Sequence, residues 1–194
     1  MPTSICNISL ETKKTDLWEF ELKCGAINGI ALFIYIIMKE KKIAEILSKV
    51  ERYCRYQERC KSEVEKKLVD LDVTEKIKKS ILYELSKKKY FDNKRFSYEY
   101  AIGKFRNNKW GKIKISYNLK CKSIEKSIID KALKKIPENE YTSVFNKMAK
   151  KEWLNRSKLE LSPRRRGFIN ALKSKGWEFH LINNFLLETT KNRH

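Results

Sequence analysis

The sequence predicts an all-α protein, with three tandem three-helix repeats in an elongated, curved array, and three observations lead to this prediction. Only three prolines occur in 194 residues, and residues 30–102 contain neither glycine nor proline. This spacing is typical of long helices rather than of β-hairpins. Apolar residues return every three and four positions, which is the helical period. The same apolar pattern then occurs three times along the chain.

The repeat is clearest when Leu68, Leu119 and Leu172 are aligned as equivalent positions. Apolar residues coincide in all three copies four positions before this leucine and 5, 9, 13 and 14 positions after it. One helix therefore ends near the leucine and another begins about four positions later. A further amphipathic stretch precedes each pair, at about 43–57, 93–107 and 138–159. A bundle whose leucines align by chance is the alternative, but the shared break favours repetition.

Polar residues beside these predicted helices indicate where they begin. Ser62 followed by Glu65 predicts a capping box, and Thr74 and Ser123 are predicted N-caps of the last helices in the first two repeats. Gly176 occupies the corresponding turn of the third repeat. We place the repeats at 38–91, 92–136 and 137–194.

Residues 1–37 form an atypical N-terminal extension. Gly25 to Met38 is an uncharged, mostly apolar run, and acidic residues precede it without a small-residue cleavage site after it, which argues against a secretory signal. We expect Met38 to be the initiator and the protein to be cytoplasmic, without a membrane. Anchoring of the chain to a membrane through residues 25–38 is the alternative.

The charge of the chain favours a polyanionic or acidic partner. The formal net charge is +20, and Tyr100–Ile124 and Leu161–Trp177 contain no acidic residue at all. Seven positions before each aligned leucine the residue is basic, so stacked repeats would present a common basic face. We also expect unpaired N–H groups at helix starts near Gly111 and Pro163. The candidate contact residues are Arg59, Lys61, Lys104, Arg106, Lys109, Trp110, Lys112, Lys114, Arg164, Arg165 and Arg166. A basic face kept only for solubility is the alternative.

The residues needed for catalysis are sparse. No phosphate-binding loop, dinucleotide-binding turn or zinc-protease motif is present. His180 and His194 are the only histidines, and the five cysteines show no zinc-ligand spacing. The sequence therefore predicts no catalytic residue, no metal and no cofactor, and a protein that is not an enzyme.

Residues from about Met38 onward resemble the RecX family of recombination regulators, especially the form found in Bacteroidetes. The first repeat matches the family element R-x-x-S-x-x-E-x-x-x-L at Arg59, Ser62, Glu65 and Leu68. The second repeat matches at Asp92, Arg95, Phe96, Gly111 and Leu119. The third matches at Phe168, Leu172 and Gly176, with Trp177 in place of the usual phenylalanine. The resemblance rests on the order and spacing of these motifs together, since each alone is common.

This resemblance implies a regulator that docks along the RecA nucleoprotein filament and inhibits its recombinase and ATPase activities in DNA repair and the SOS response. It implies RecA and single-stranded or filament-bound DNA as partners, with no small-molecule substrate, and we expect a monomer. Asp92, Arg95 and Phe96 are expected to close one repeat onto the next. The alternative function is a general basic helical DNA-binding module that does not act through RecA.

Overall fold

A computed structural model of the chain describes the backbone of residues 29–191 and the side chains of residues 33–189. Nine helices occur in this part of the chain, and it contains no strand, so the all-α prediction is confirmed. The helices are α1 (Gly29–Tyr56), α2 (Lys61–Asp70), α3 (Glu75–Lys87), α4 (Asn93–Asn108), α5 (Lys112–Cys121), α6 (Lys126–Lys134), α7 (Glu138–Leu154), α8 (Leu161–Ser174) and α9 (Phe179–Lys191).

The helices group in threes, and the predicted repetition is confirmed. In each repeat the middle helix ends two residues after the aligned leucine, and the last helix begins seven residues after it. The intervening turn places a left-handed residue four positions after the leucine: Asp72 (φ 52°), Ser123 (φ 58°) and Gly176 (φ 80°). The last helices begin about three residues later than the apolar spacing predicted, because the turn needs a left-handed residue followed by extended backbone.

The aligned apolar positions form the core of each repeat. Leu68, Leu119 and Leu172 are fully buried, as are the residues four positions before them. Burying one such leucine contributes about 2 kcal/mol. From Cys60 through the second and third repeats, the buried residues form one continuous cluster.

The described residues divide into two compact units, one ending at Ser48 and the other beginning at Lys49. In the first unit, the apolar side chains of α1 at its amino-terminal end are exposed to solvent; they are Phe33, Ile34, Ile36, Ile37 and Met38. Among the described residues, no helix combines the length and apolar character needed to cross a bilayer. Most of the predicted extension lies outside the described residues, so the start at Met38 stays a prediction. The predicted repeat boundaries also stay predictions.

The helix starts differ from the predicted caps at two positions. Cys60 is the N-cap of α2 and Ser62 lies inside that helix, so the predicted capping box is wrong. Glu125 rather than Ser123 is the N-cap of α6, because Ser123 is the left-handed residue of the preceding turn. Thr74 does hold the N-cap position of α3, without a side-chain hydrogen bond.

Consecutive repeats meet through one arrangement that occurs twice. At the first joint, the start of α2 lies against the turn between α5 and α6: the Ser62 hydroxyl donates to the Lys122 carbonyl at 2.6 Å. At the second joint, the start of α5 lies against the turn between α8 and α9. There the Gly111 N–H donates to the Lys175 carbonyl at 2.9 Å, and the Ile113 N–H donates to the Gly176 carbonyl at 3.2 Å.

Candidate partner-binding surface

The acid-free segment Tyr100–Ile124 covers the second half of α4, all of α5 and the link between them. Lys109 ends α4 because it takes a left-handed conformation, with its N–H directed at the last carbonyls of the helix. Its ammonium group also donates to the Arg106 carbonyl at 2.5 Å. A cation at this position is favoured by the negative end of the helix dipole. The link therefore holds its lysine beside the helix end.

Two lysines converge on Trp110, which is half-buried in the link. Lys114 Nζ lies 4.7 Å from the centroid of the indole ring, and Lys104 Nζ lies 5.4 Å from it. Neither lysine is ion-paired with a carboxylate in the described part of the chain. Lys114 also donates to the Ser174 carbonyl of the third repeat at 2.9 Å. This group places two uncompensated positive charges around one aromatic ring.

Arg106 and Lys112 contact the first turn of α7. Arg106 donates to both carboxylate oxygens of Glu140, at 3.0 Å from Nε and 2.9 Å from Nη2. Lys112 Nζ donates to Glu138 at 2.7 Å. The hydrogen bond from Arg106 lowers the pKa of Glu140, and the Glu140 hydrogen bond raises the pKa of Arg106. Two predicted contact residues are therefore held by carboxylates of the same chain.

The start of α5 does not offer the unpaired N–H groups that the sequence predicted. The N–H groups of Gly111 and Ile113 are taken by carbonyls of the third repeat, and the Lys112 N–H donates to the Tyr141 hydroxyl at 2.9 Å. The expectation is wrong at this helix, because the Gly111 N–H forms a hydrogen bond across the second joint.

The three consecutive arginines of α8 have different surroundings. Arg164 is buried: its guanidinium donates to the Trp153 carbonyl at 2.9 and 3.3 Å and lies 4.0 Å from the Trp153 ring centroid. Arg165 and Arg166 are exposed. The helix begins at Leu161, so Arg165 lies within it, whereas Lys61 and Lys112 are the first residues of their helices. The third repeat thus departs from the other two at its basic position.

Arg59 and Lys61 lie at the link between α1 and α2. Arg59 is mostly buried, with its guanidinium 4.0 Å from the Tyr53 ring centroid and 3.7 Å from Glu63. Lys61 is exposed and lies 3.7 Å from Glu65. Both pairs span four residues. The partners that sequence reasoning missed are those of Arg106 and Lys112, because Glu140 and Glu138 lie far from them along the chain.

Three of the family-motif residues of the second repeat, Asp92, Arg95 and Phe96, lie at or next to the start of α4. The Asp92 side chain caps α4 by accepting from the N–H groups of Lys94 and Arg95. Arg95 pairs with Glu58 of the α1–α2 link at 2.7 Å, and Phe96 is buried. The Arg95 contact agrees with the expected closing of one repeat onto the next, whereas Asp92 caps its own helix. The described residues contain no group of three metal-ligating side chains, and His180 is exposed.

Comparisons with known proteins agree on one family. The family model for the second three-helix domain of RecX matches residues 92–133. Over 171 residues the chain is 28% identical to a regulatory protein RecX of Clostridium acetobutylicum, which covers 86% of this chain and 78% of the relative. The fold resembles a crystal structure of regulatory protein RecX (TM-score 0.68, 24% identity, 77% of this chain and 74% of the other). It also resembles RecX from Lactobacillus salivarius (TM-score 0.66, 23% identity, 77% and 97%).

Proposed function

Because the chain belongs to the RecX family, we propose that it binds the RecA nucleoprotein filament and inhibits its recombinase and ATPase activities in DNA repair and the SOS response. The family is a regulatory one, and the chain acts as a cytoplasmic regulator without catalysis of its own. The observation that carries the proposal is the basic surface formed by the acid-free segment Tyr100–Ile124, within a chain that matches this family.

The proposed contact set follows from which cations are free to meet a partner. Lys104, Lys109 and Lys114 have no carboxylate partner among the described residues, and Arg165 and Arg166 are exposed. Lys61, Arg106 and Lys112 are exposed or half-buried and can exchange their weak pairs for a partner's anions. The set also includes Trp110, which contacts Lys104 and Lys114, and the mostly buried Arg59. Arg164 is left out of this set because its buried guanidinium holds Trp153.

A filament offers many copies of the same binding site, so a row of modest contacts is sufficient for tight binding. Once one repeat is bound, the next meets its own site at a high effective concentration. Cations fixed along one surface also release counterions from filament-bound DNA, which makes binding sensitive to salt. Each bound molecule then restrains several RecA protomers.

The test is a titration of the chain against RecA filaments on single-stranded DNA, following strand exchange and ATP hydrolysis. We expect inhibition well below one regulator per RecA, because each molecule acts on several protomers. No effect on either reaction, together with retained binding to bare DNA, would favour a general DNA-binding module, which the net charge of +20 also suits.

A matched pair of variants tests the surface itself. We expect Lys104→Gln with Lys109→Gln to weaken filament binding about tenfold, because both residues lack a carboxylate partner in the described chain. The control is Lys147→Gln with Lys150→Gln, two exposed lysines of α7 that remove the same charge. Thermal melting of both variants should stay close to that of the parent. Equal loss of binding in the two variants would mean that net charge, and not this surface, binds the filament.

A further inference from the structure

Two carboxylates already lie on the basic surface, and their geometry indicates what the surface binds. Glu140 accepts from Arg106 through both of its oxygens, and Glu138 accepts from Lys112. Paired, parallel N–H donors of arginine fit a phosphate as well as they fit a carboxylate. Both acids lie in the first turn of α7, where the positive end of the helix dipole adds to the attraction for an anion.

We propose that Arg106, Lys109 and Lys112 form a binding site for the phosphates of single-stranded DNA, in which Glu138 and Glu140 compete with the ligand for the same cations. The inference deepens the proposed function, because it names the DNA of the filament as what this face meets. It concerns the isolated chain and can be tested without RecA.

The ion pairs of Arg106 with Glu140 and of Lys112 with Glu138 can readily be replaced by contacts with phosphate. Glu138 is 72% exposed and Arg106 is 54% exposed, so water reaches both pairs and each contributes little to folding. Lys109 adds its charge at the same place, since its ammonium group donates to the Arg106 carbonyl at 2.5 Å. Two of the three cations are thus paired with carboxylates, and the site carries a single net positive charge until the acids are displaced.

Beside this site lies a second feature that suits a nucleotide chain. Lys104 and Lys114 surround the half-buried Trp110, and Trp110 directly precedes the Gly111 N-cap of α5. Single-strand binders combine a cationic track for the backbone with aromatic side chains near the bases. An acidic protein surface would use the cations but would have no need of the indole, so we favour DNA as the ligand.

The experiment measures binding of a fluorescein-labelled 30-mer of thymidine by anisotropy, at several salt concentrations. Glu138→Gln with Glu140→Gln removes the competing charges and keeps the side-chain shape. We expect it to bind about two- to fivefold more tightly for each released cation. The dependence of log K on log salt should also steepen by up to about 1.4, since each additional phosphate contact on a single strand adds about 0.7.

The control carries the same change in net charge at a distance from the site. Glu75→Gln with Glu152→Gln breaks two pairs, with Lys78 and Arg156, that each lie within a single helix or at its end. We expect this variant to gain clearly less affinity than Glu138→Gln with Glu140→Gln. Equal gains would show a general field effect and overturn the proposal, as would unchanged affinity for the oligonucleotide with tighter binding to RecA filaments.

A double-mutant cycle tests the arginine directly. In a chain that carries Arg106→Gln, the further change Glu140→Gln should add no affinity for the oligonucleotide, because the cation that it would release is absent. A full gain in that background would overturn the competition between Glu140 and phosphate. Strand-exchange assays report separately on the RecA proposal, so failure of one leaves the other standing.

Discussion

The two joints between repeats place the same helix end on the same turn, but they hold it with different groups. The first joint uses side chains. The Ser62 hydroxyl donates to the Lys122 carbonyl, and the Lys122 ammonium group donates to the Glu63 carboxylate at 2.5 Å. The second joint uses two backbone hydrogen bonds between Gly111, Ile113 and the turn at Gly176. A repeated fold can therefore be joined by polar side chains or by close backbone approach, and the two are expected to respond differently to substitution.

The second joint also has the larger apolar contact. The ring of Tyr141 lies 4.7 Å from that of Trp177 and 5.5 Å from that of Phe105, so the cores of the second and third repeats are continuous. From the first repeat, only Cys60 belongs to this cluster. The first joint should therefore open more readily than the second, because less apolar surface is lost to water when it does.

The largest effect is expected from Gly176→Ala. A Cβ at this position would lie 2.2 Å from Lys114 Cβ and 2.4 Å from its backbone N, and φ is +80°. Left-handed strain and the forced shift of α5 together should lower the free energy of unfolding by about 3 kcal/mol. Urea unfolding followed by circular dichroism measures this loss.

Ser123→Ala is the matched change at the first joint. Ser123 already places a side chain at a left-handed position (φ 58°). Alanine adds no further strain there, so the free energy of unfolding should fall by less than about 0.5 kcal/mol. Similar losses for the two variants would mean that the second joint does not depend on close backbone approach.

An intermediate effect is expected from Tyr141→Phe. The buried Tyr141 hydroxyl accepts from the Lys112 N–H at 2.9 Å and donates to Glu178 at 2.6 Å. Removing it leaves a half-buried amide without an acceptor and should cost about 2 kcal/mol. The counterpart at the first joint, Asn93→Ala, removes an exposed acceptor 3.0 Å from the Lys61 N–H, and because water can replace it the cost should be about 0.5 kcal/mol.

The same tyrosine gives the second joint a pH dependence. Burial raises the pKa of Tyr141, and its hydrogen bond to Glu178 raises it further. The folded chain then keeps a proton that the unfolded chain releases above the ordinary value of 10.0, so stability is constant below that pH and falls as pH rises above it. Melting between pH 8 and 11 should show this fall, and Tyr141→Phe should reduce it. An equally steep fall in that variant would assign the titration to other groups.

The helices and their threefold repetition could be predicted from the sequence because each depends on local spacing. Apolar residues at intervals of three and four mark a helix face, and the aligned leucines marked the end of one helix in every copy. The caps at Ser62 and Ser123 were predicted wrongly. Ser62 instead donates a hydrogen bond across the first joint, and Ser123 is the left-handed residue of the turn between α5 and α6. A capping pattern cannot reveal a tertiary contact that takes the same hydroxyl.

The basic surface could be located from the sequence, but its internal pairing could not. The absence of acids between residues 100 and 124 was visible, whereas Glu138 and Glu140 reach Lys112 and Arg106 only because α7 packs beside α4 and α5. Arg164 appeared equivalent to its two neighbours until the structure placed it on Trp153. Which cations remain free depends on contacts between different helices, whether they span 11 residues, as for Arg164, or 34, as for Arg106.

A smaller effect than that of Tyr141→Phe is expected from Glu63→Gln at the first joint. Glu63 pairs with Lys122, and both side chains are mostly buried. Burial lowers the pKa of Lys122, but the hydrogen bond and charge of Glu63 outweigh it and the pKa is raised. The pair should therefore stabilise the fold up to the ordinary lysine value of 10.5 and lose its contribution above it. Near neutral pH the substitution should cost about 1 kcal/mol.

Salt separates this ionic contact from the backbone contact of the second joint. Raising NaCl from about 0.1 to about 1 M shortens the screening length from roughly 10 to 3 Å, so the cost of Glu63→Gln in urea unfolding should shrink while that of Gly176→Ala stays unchanged. Glu152→Gln, which breaks a pair within the third repeat, controls for the loss of one carboxylate. If the cost of Glu63→Gln does not depend on salt, Glu63 holds the joint by packing, and the two joints then differ only in how closely their backbones approach.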